Sequence, residues 1–185
     1  EDCALCAAAC PEQAINLAAK ASARSLKVGA VVLATGFEQA DPRVYDTFGY
    51  GDIPGVVTSL EFEQLLSPFG PTAGRLLRPD GAPARKIAWL QCVGSREQRR
   101  ECRPYCSAVC CMYALKQARC ALSANPEAAG SIFYIDLRAY PRGGEDYLAK
   151  VQGEVGERLS LVRARIHGAE HSGNGVRLRY MDETG

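Results

Sequence analysis

The pattern of apolar and polar positions in the second half of the chain predicts alternating strands and helices. Three short apolar runs have the length and composition of strands: 86–91, 131–137 and 159–166. Two helices are expected between them: from about Ser107 to Cys120, and from Glu145 to about Gly153. This order predicts βαβ units on a mostly parallel sheet. The alternating segment 176–181 predicts a further, half-exposed and antiparallel strand.

The first half of the chain has fewer such signals. The aliphatic run Leu26–Thr35, ended by a glycine, predicts a strand buried on both faces. Thr58 and Glu61 form a T-x-x-E capping box, which predicts a short helix that ends before Pro68. Segment 67–85 is rich in glycine and proline and is typical of a long surface connection, so we expect a domain boundary there.

Composition excludes several classes of protein. The 185 residues carry 22 Lys+Arg and 21 Asp+Glu, a net charge of +1, and no basic stripe suited to nucleic acid. The sequence contains neither an apolar run long enough to cross a membrane nor a basic, apolar signal peptide. Nine cysteines without secretory features favour metal or redox chemistry in a reducing compartment, which we expect to be the cytoplasm.

The later cysteines are the main candidates for that chemistry. They lie at a predicted strand end and around a predicted helix start: Cys92, Cys102, Cys106, Cys110 and Cys111. An iron–sulfur cluster needs four thiolates, and amide dipoles at a helix N-terminus stabilise an anionic cluster. Cys106, Cys110 and Cys111 can share one cluster if the first of them precedes the helix, with Ser107 as N-cap and Cys92 as fourth ligand. Structural zinc, a redox disulfide and buried thiols without a ligand are the alternatives.

A second cysteine set lies at the N-terminus: Cys3, Cys6 and Cys10, the last followed by Pro11. Its spacing matches the last three cysteines of the bacterial ferredoxin run C-x2-C-x2-C-x3-C-P. The first cysteine of that run would fall before residue 1, so we expect this chain to be a piece of a longer one. Free thiols are the alternative to a second cluster here.

Two turns are candidate contacts for a dinucleotide cofactor. Thr35-Gly36 follows the first apolar run, and Gly94-Ser95 follows the predicted strand 86–91. Asp136, near the end of the next predicted strand, is a candidate ribose acceptor, although it is farther from the turn than in the usual fingerprint. The two histidines, His167 and His171, are expected on the surface near a turn.

Together these motifs resemble the A-subunit family of heterodisulfide reductase and its relatives, which include flavoprotein subunits of quinone-interacting oxidoreductases. The matching segments follow the order of the family: CALCAAACPEQAI, VGAVVLATGFEQADP, VVTSLEFEQLL, GPTAG, KIAWLQCVGSRE, YCSAVCCMYALKQA and IFYIDLRAY. The resemblance implies an α/β fold with a Rossmann-like domain of the thioredoxin-reductase type at 86–185. It also implies a partial flavin-domain segment and linker at 21–85, and the remnant of a ferredoxin-like motif at 1–20.

The resemblance implies a [4Fe-4S] cluster held by Cys92, Cys106, Cys110 and Cys111, with Cys102 as a bystander or substitute ligand. It further implies FAD in the longer protein and electron transfer toward other subunits of a redox complex. The isolated piece is expected to be inactive. A nicotinamide-dependent disulfide reductase domain using Gly94 and Asp136 is the alternative, as is a zinc-stapled interaction domain.

Overall fold

A computed structural model describes residues 4–181, without the side chain of Asp46. The chain divides into two compact units, Glu1–Glu38 and Gln39–Gly185. The domain boundary expected at 67–85 stays a prediction.

The first unit contains one short helix, α1 (Leu5–Ala9), in its described part. Residues 26–35 do not form the predicted strand, and the side chains of Val32 and Leu33 are 88% and 85% exposed. A strand exists only where a neighbouring strand accepts and donates its main-chain hydrogen bonds. Among the described residues no segment pairs with 26–35, so its apolar composition alone does not produce a strand.

The second unit contains most of the regular structure. Its helices and strands are α2 (Ser59–Leu66), β1 (Lys86–Leu90), α3 (Cys110–Ala124), β2 (Ala129–Tyr134), α4 (Gly144–Val155), β3 (Leu159–Arg163), β4 (Ile166–Ser172) and β5 (Gly175–Tyr180). Short 3₁₀ turns occupy Pro42–Val44, Asp46–Phe48 and Gly156–Arg158. Strands β1, β2 and β3 form a parallel sheet in that order. The predicted α/β class and the βαβ connections are therefore confirmed.

Each face of the sheet is covered by a different layer. Ile132 and Phe133 are neighbours in β2 and therefore point to opposite faces. Ile132 packs in the main core with Leu115 of α3 and Val151 of α4, all fully buried. Phe133 packs in a smaller cluster with Ile166 of β4, so the β4–β5 hairpin covers the other face. These two layers hold the strand ends in fixed positions.

A buried hydrogen-bond network ties α2 to the sheet. The Trp89 indole N–H of β1 donates to Gln117 of α3 at 3.1 Å, and the Gln117 amide donates to the Ser59 carbonyl at 3.0 Å. The capping box of α2 is formed as expected, with Glu61 accepting from the Thr58 N–H at 2.7 Å. Segment 67–85 contains no helix or strand, yet Leu76 is buried in the main core, so this connection is packed more closely than we expected.

Helix α3 begins later than the sequence predicts. Its N-cap is Val109, whose side chain makes no capping bond, and the expected N-cap Ser107 is wrong. Ala108 has a φ of +61°, a left-handed conformation that interrupts a right-handed helix. As a result Cys106 precedes the helix, as the ligand hypothesis requires.

The C-terminal hairpin differs from the prediction in one respect. The strand expected at 159–166 ends at Arg163, and Ile166 starts β4, which pairs antiparallel with β5. The segment after Ile166 lacks a strand signal in the sequence because glycine and polar residues interrupt its apolar positions. His167 and His171 therefore lie on a strand rather than in a turn, and both are exposed as expected.

Candidate metal centre

The carboxyl edge of the parallel sheet gathers the residues that could carry chemistry. Strand β1 ends at Leu90 and β2 ends at Tyr134, so Cys92 and Asp136 each lie two residues beyond a strand. Helix α3 starts at this same edge, because a crossover between parallel strands begins where the first strand ends. Open α/β sheets usually place their ligand sites at this edge.

Three thiols meet there. Cys110 shares hydrogen bonds with Cys92 and with Cys111, and we call these three residues the thiol row. All three are buried, with 4% to 7% of their surface exposed. Two of them begin α3 and the third follows β1, so the fold joins cysteines from two separate segments. Their joint role as metal ligands stays a prediction.

The backbone around the thiol row is strained at two non-glycine positions. Cys92 and Ala108 both have a φ of +61°. A non-glycine residue in this region costs on the order of 1–3 kcal/mol, and such strain is common at functional sites. At Cys92 the conformation turns the chain out of β1 while its thiol contacts Cys110.

The thiol row concentrates negative charge on its central member. Hydrogen bonds from Cys111 and Cys92 lower the pKa of Cys110, and the Ser107 hydroxyl adds to this effect. The hydrogen bond to Cys110 and burial raise the pKa of Cys92, and the same two causes raise the pKa of Cys111. Because Cys110 is the first residue of α3, the helix dipole also favours a thiolate there.

The two other cysteines of this region have different surroundings. Cys106 is half-exposed, and its Sγ accepts the Ala108 main-chain N–H at 3.3 Å. Its charge influences the pKa of Cys92, so it lies near the thiol row. Cys102 is buried but interacts with the Tyr45 hydroxyl and with Glu97. These contacts favour Cys106 over Cys102 as a fourth ligand.

Within residues 4–181, no three Cys, His, Asp or Glu side chains converge as ligands of one metal ion. A structural zinc ion needs four ligands in a tetrahedron around one point, with sulfurs about 2.3 Å from the metal. In the thiol row, by contrast, Cys110 lies between the other two thiols. Among the described contacts it is hydrogen-bonded to Cys92 and to Cys111. A cluster with four irons presents several separate iron atoms to its cysteines.

Three guanidinium groups lie around one carboxylate beside the thiol row. Asp136 pairs with Arg96 at 2.7 Å, Arg138 at 3.7 Å and Arg163 at 3.9 Å. The hydrogen bond from Arg96 is the main cause that lowers the pKa of Asp136. Because the Asp136 carboxylate already forms ion pairs with these arginines, it is less suited to accept hydrogen bonds from ribose hydroxyls.

Sequence reasoning missed Arg96 and Arg138. Arg96 Nη1 and Arg138 Nε are buried and have no hydrogen-bond partner among the described residues. The Asp136 carbonyl is 3.8 Å from the Cys111 Sγ, which places the arginine group next to the thiols. The sequence did contain one indication of their role: each arginine lies within four residues of a candidate site residue, Cys92 or Asp136.

The candidate cofactor residues fall in both units. Gly94 has a φ of +69°, and a Cβ there would overlap the Tyr45 hydroxyl, so this glycine permits close packing on Tyr45. The Ser95 N–H donates to the Cys92 carbonyl at 3.1 Å and closes the turn after β1. In the first unit, Thr35 is exposed and Gly36 has a φ of +80° with open space around it.

The N-terminal cysteines belong to the first unit. Cys6 is exposed in α1, and Cys10 ends that helix. The Cys10 Sγ accepts the Ala14 N–H at 3.4 Å, and this bond is the largest of several main-chain hydrogen bonds that lower the pKa of Cys10. Cys3 lies outside the described residues.

The fold and site define a class: an α/β protein with a group of unpaired thiols at the carboxyl edge of its sheet. No family model matches the chain, whereas several curated proteins are similar to it. The chain is 43% identical over 140 residues to an iron-sulfur A subunit of the CoB–CoM heterodisulfide reductase of Methanopyrus kandleri, covering 75% of this chain and 21% of that protein.

Two further relatives extend the match. The chain is 37% identical to the iron-sulfur A subunit of the CoB–CoM heterodisulfide reductase of Methanocaldococcus jannaschii, over 88% of this chain and 24% of that protein. It is 36% identical to the A subunit of the ferredoxin/F(420)H(2)-dependent CoB–CoM heterodisulfide reductase of Methanosarcina acetivorans, over 89% of this chain and 20% of that protein. The chain belongs to the A-subunit family of heterodisulfide reductase and spans about a quarter of the length of these relatives or less.

Among the helices of residues 4–181, none combines sufficient length with sufficient apolar character to cross a bilayer.

Proposed function

We propose that this chain holds a [4Fe-4S] cluster through Cys92, Cys106, Cys110 and Cys111 and transfers electrons within a heterodisulfide-reductase-type oxidoreductase. The observation that carries the proposal is the thiol row, which unites Cys92 from the turn after β1 with two cysteines of α3 at the carboxyl edge. The names of two relatives, which call them iron-sulfur subunits, support the same chemistry.

The donor set of this site fits an iron–sulfur cluster. Such a cluster takes thiolate ligands, and burial, hydrogen bonds and nearby charge tune its potential. The thiol row supplies three buried sulfurs, and Cys106 supplies a fourth in the preceding loop. The arginines around Asp136 add positive charge beside an anionic group. When bound, the cluster would accept and release one electron at a time.

The protein's own residues would position and shield that centre. The α3 N-terminus favours negative charge at Cys110 and Cys111, and the β1 turn presents Cys92 from the other side. The Ala108 N–H bound to Cys106 orients the most exposed thiol of the four. These contacts keep three of the sulfurs away from water, which limits their oxidation.

Two finer assignments belong to the same proposal. We place FAD in the longer protein. We propose Thr35 and Gly36 of the first unit and, separately, Gly94 and Ser95 of the second unit as candidate cofactor contacts, the second pair on a domain of Rossmann-like type. We also propose that Cys3, Cys6 and Cys10 serve a ferredoxin-like cluster in the longer protein. The main-chain N–H groups around Cys10 support this role, because such bonds stabilise a thiolate ligand.

The electrons would pass to other subunits of a redox complex. Support comes from the names of the relatives, which describe subunits of heterodisulfide reductases. Unpaired cysteines in the described residues agree with a reducing compartment, and we propose the cytoplasm.

Metal and sulfide analysis tests the main proposal. The chain is reconstituted anaerobically with iron and sulfide, and iron, acid-labile sulfide and zinc are then measured. We expect about four iron and four sulfide per chain, with an EPR signal after reduction. Zinc without sulfide would overturn the proposal in favour of a structural zinc site.

A further inference from the structure

Two arginine N–H groups near the thiol row have no acceptor among the residues that the structure describes. Arg96 Nη1 and Arg138 Nε are each buried without a hydrogen-bond partner in the described residues. A buried, charged donor without an acceptor is costly, because it has lost its hydration and gained nothing in return. Two such donors in one region therefore leave room for an acceptor that does not belong to the described residues.

The same carboxylate anchors both arginines. Arg96 Nη2 pairs with Asp136 at 2.7 Å, and Arg138 Nη2 lies 3.7 Å from the same Asp136 oxygen. Arg138 also stacks over the Tyr140 ring, with 5.4 Å from its Cζ to the ring centroid. Each guanidinium is thus fixed through one nitrogen while another nitrogen remains without a partner.

Both arginines adjoin the proposed ligands. The Arg96 charge acts on Cys92 and Cys106, and its backbone has a φ of +58°, a strained value for arginine. The main-chain N–H of Arg138 binds the Cys111 sulfur. The two unpartnered groups therefore belong to residues on the loops that leave β1 and β2, one near Cys92 and the other adjoining Cys111 through its main chain.

We infer that Arg96 and Arg138 are positioning residues that donate N–H bonds, through Nη1 and Nε, to sulfur atoms of the cluster. The inference rests on the proposed function. Sulfide and thiolate sulfurs are acceptors that carry negative charge, and a guanidinium supplies directed donors to anions. Reduction adds one negative charge to the cluster, so these donors stabilise the reduced form more than the oxidised form and raise the reduction potential.

The first experiment needs no substitution. The full chain is produced with arginine that carries ¹⁵N only in its guanidinium group, reconstituted with iron and sulfide, and reduced. Pulsed EPR then detects ¹⁵N nuclei that are hydrogen-bonded to the paramagnetic cluster. We expect a ¹⁵N coupling in the native sequence, reduced in Arg96→Lys and in Arg138→Lys.

The second experiment measures the midpoint potential by EPR-monitored titration. Lysine keeps the positive charge but lacks the arginine nitrogens, so Arg96→Lys and Arg138→Lys should each lower the potential. Arg85→Lys is the matched control, since Arg85 pairs with Glu127 at 3.0 Å on the exposed surface. Its potential should equal that of the native chain.

The outcomes separate the two proposals. A native chain that binds no iron and sulfide refutes the proposed function and this inference with it. A native chain that carries the cluster but shows no ¹⁵N coupling refutes only the inference, as do unchanged potentials in both lysine variants. If a variant fails to hold the cluster, the presence or absence of ¹⁵N coupling in the labelled native chain still tests the inference.

Discussion

Two apolar segments of this chain differ in structure, since one forms a strand and the other does not. The segment Lys86–Leu90 forms a strand, because β2 pairs with every one of its residues and α3 covers Trp89. The longer and more apolar segment 26–35 remains exposed and unpaired among the described residues. The difference shows that apolar composition marks a segment that is able to be buried, while a strand forms only where neighbours are present.

The two cysteine sets show the same contrast. Cys10 is surrounded by main-chain N–H groups of the next few residues, so its environment is local. The thiol row requires β1 and α3 to meet, so its environment depends on the fold of the second unit. We therefore expect the later set to bind its metal group firmly and independently of the first.

The largest expected effect tests this difference directly. Cys110→Ser removes the central thiol of the row, one of the four proposed ligands, and should reduce bound iron well below about four atoms per chain, because a [4Fe-4S] cluster takes four thiolates. Cys120→Ser is the matched control, since Cys120 is exposed farther along α3. Iron and sulfide analysis after identical reconstitution measures both.

Cys6→Ser completes that comparison. It should leave about four iron atoms per chain, since Cys6 is exposed in the first unit. Loss of most iron in Cys6→Ser with retention in Cys110→Ser would reverse our assignment of the two sets.

The second prediction concerns stability. Leu122 is fully buried in the core of the second unit, so Leu122→Ala should lower the free energy of unfolding by about 2–5 kcal/mol. Val32 is the control, since it is 88% exposed in the first unit. Val32→Ala should change the free energy of unfolding by less than about 0.5 kcal/mol. Urea denaturation followed by circular dichroism measures both. Equal effects would show that Val32 is buried in the folded protein.

The third prediction compares the caps of two helices. The Thr58 hydroxyl accepts the Glu61 N–H at 3.3 Å at the start of α2, whereas α1 has no side-chain cap. Thr58→Ala should lower the free energy of unfolding by about 1 kcal/mol. Ser123→Ala is the control, at an exposed position in α3. It should change the free energy of unfolding by less than about 0.5 kcal/mol in the same urea denaturation assay. An unchanged value in Thr58→Ala would show that the cap is dispensable.

The parts of the fold that sequence predicts well are those fixed by local chemistry. The capping box of α2 follows from Thr58 and Glu61 alone, and the strands β1 to β3 follow from short apolar runs separated by helices. The predicted start of α3 is wrong by three residues, because the left-handed backbone at Ala108 is set by its surroundings rather than by its identity. An alanine carries no signal of positive φ.

The site is predictable in its thiols but not in its electrostatics. Cysteine is rare and reactive, so spacing alone points to a group of five candidate cysteines, three of which the fold brings together. Arginine is common on surfaces, and only the structure shows that Arg96 and Arg138 have buried nitrogens without acceptors among the described residues. Likewise, the packing of Gly94 against Tyr45 depends on a contact between residues far apart in sequence.

The smallest expected effect is the pH dependence of the α2 cap. Burial alone would raise the pKa of Glu61, but hydrogen bonds from the Thr58 N–H, the Tyr50 hydroxyl and the Thr58 hydroxyl outweigh it and lower that pKa. A carboxyl group with a lowered pKa stabilises the fold above its unfolded pKa of about 4.3, and this contribution disappears as the pH falls through the folded value. The difference in free energy of unfolding between the native chain and Glu61→Gln should therefore shrink from about pH 6 to about pH 3. A difference that stays constant over this range in urea denaturation would show that the ionised carboxylate does not stabilise the cap.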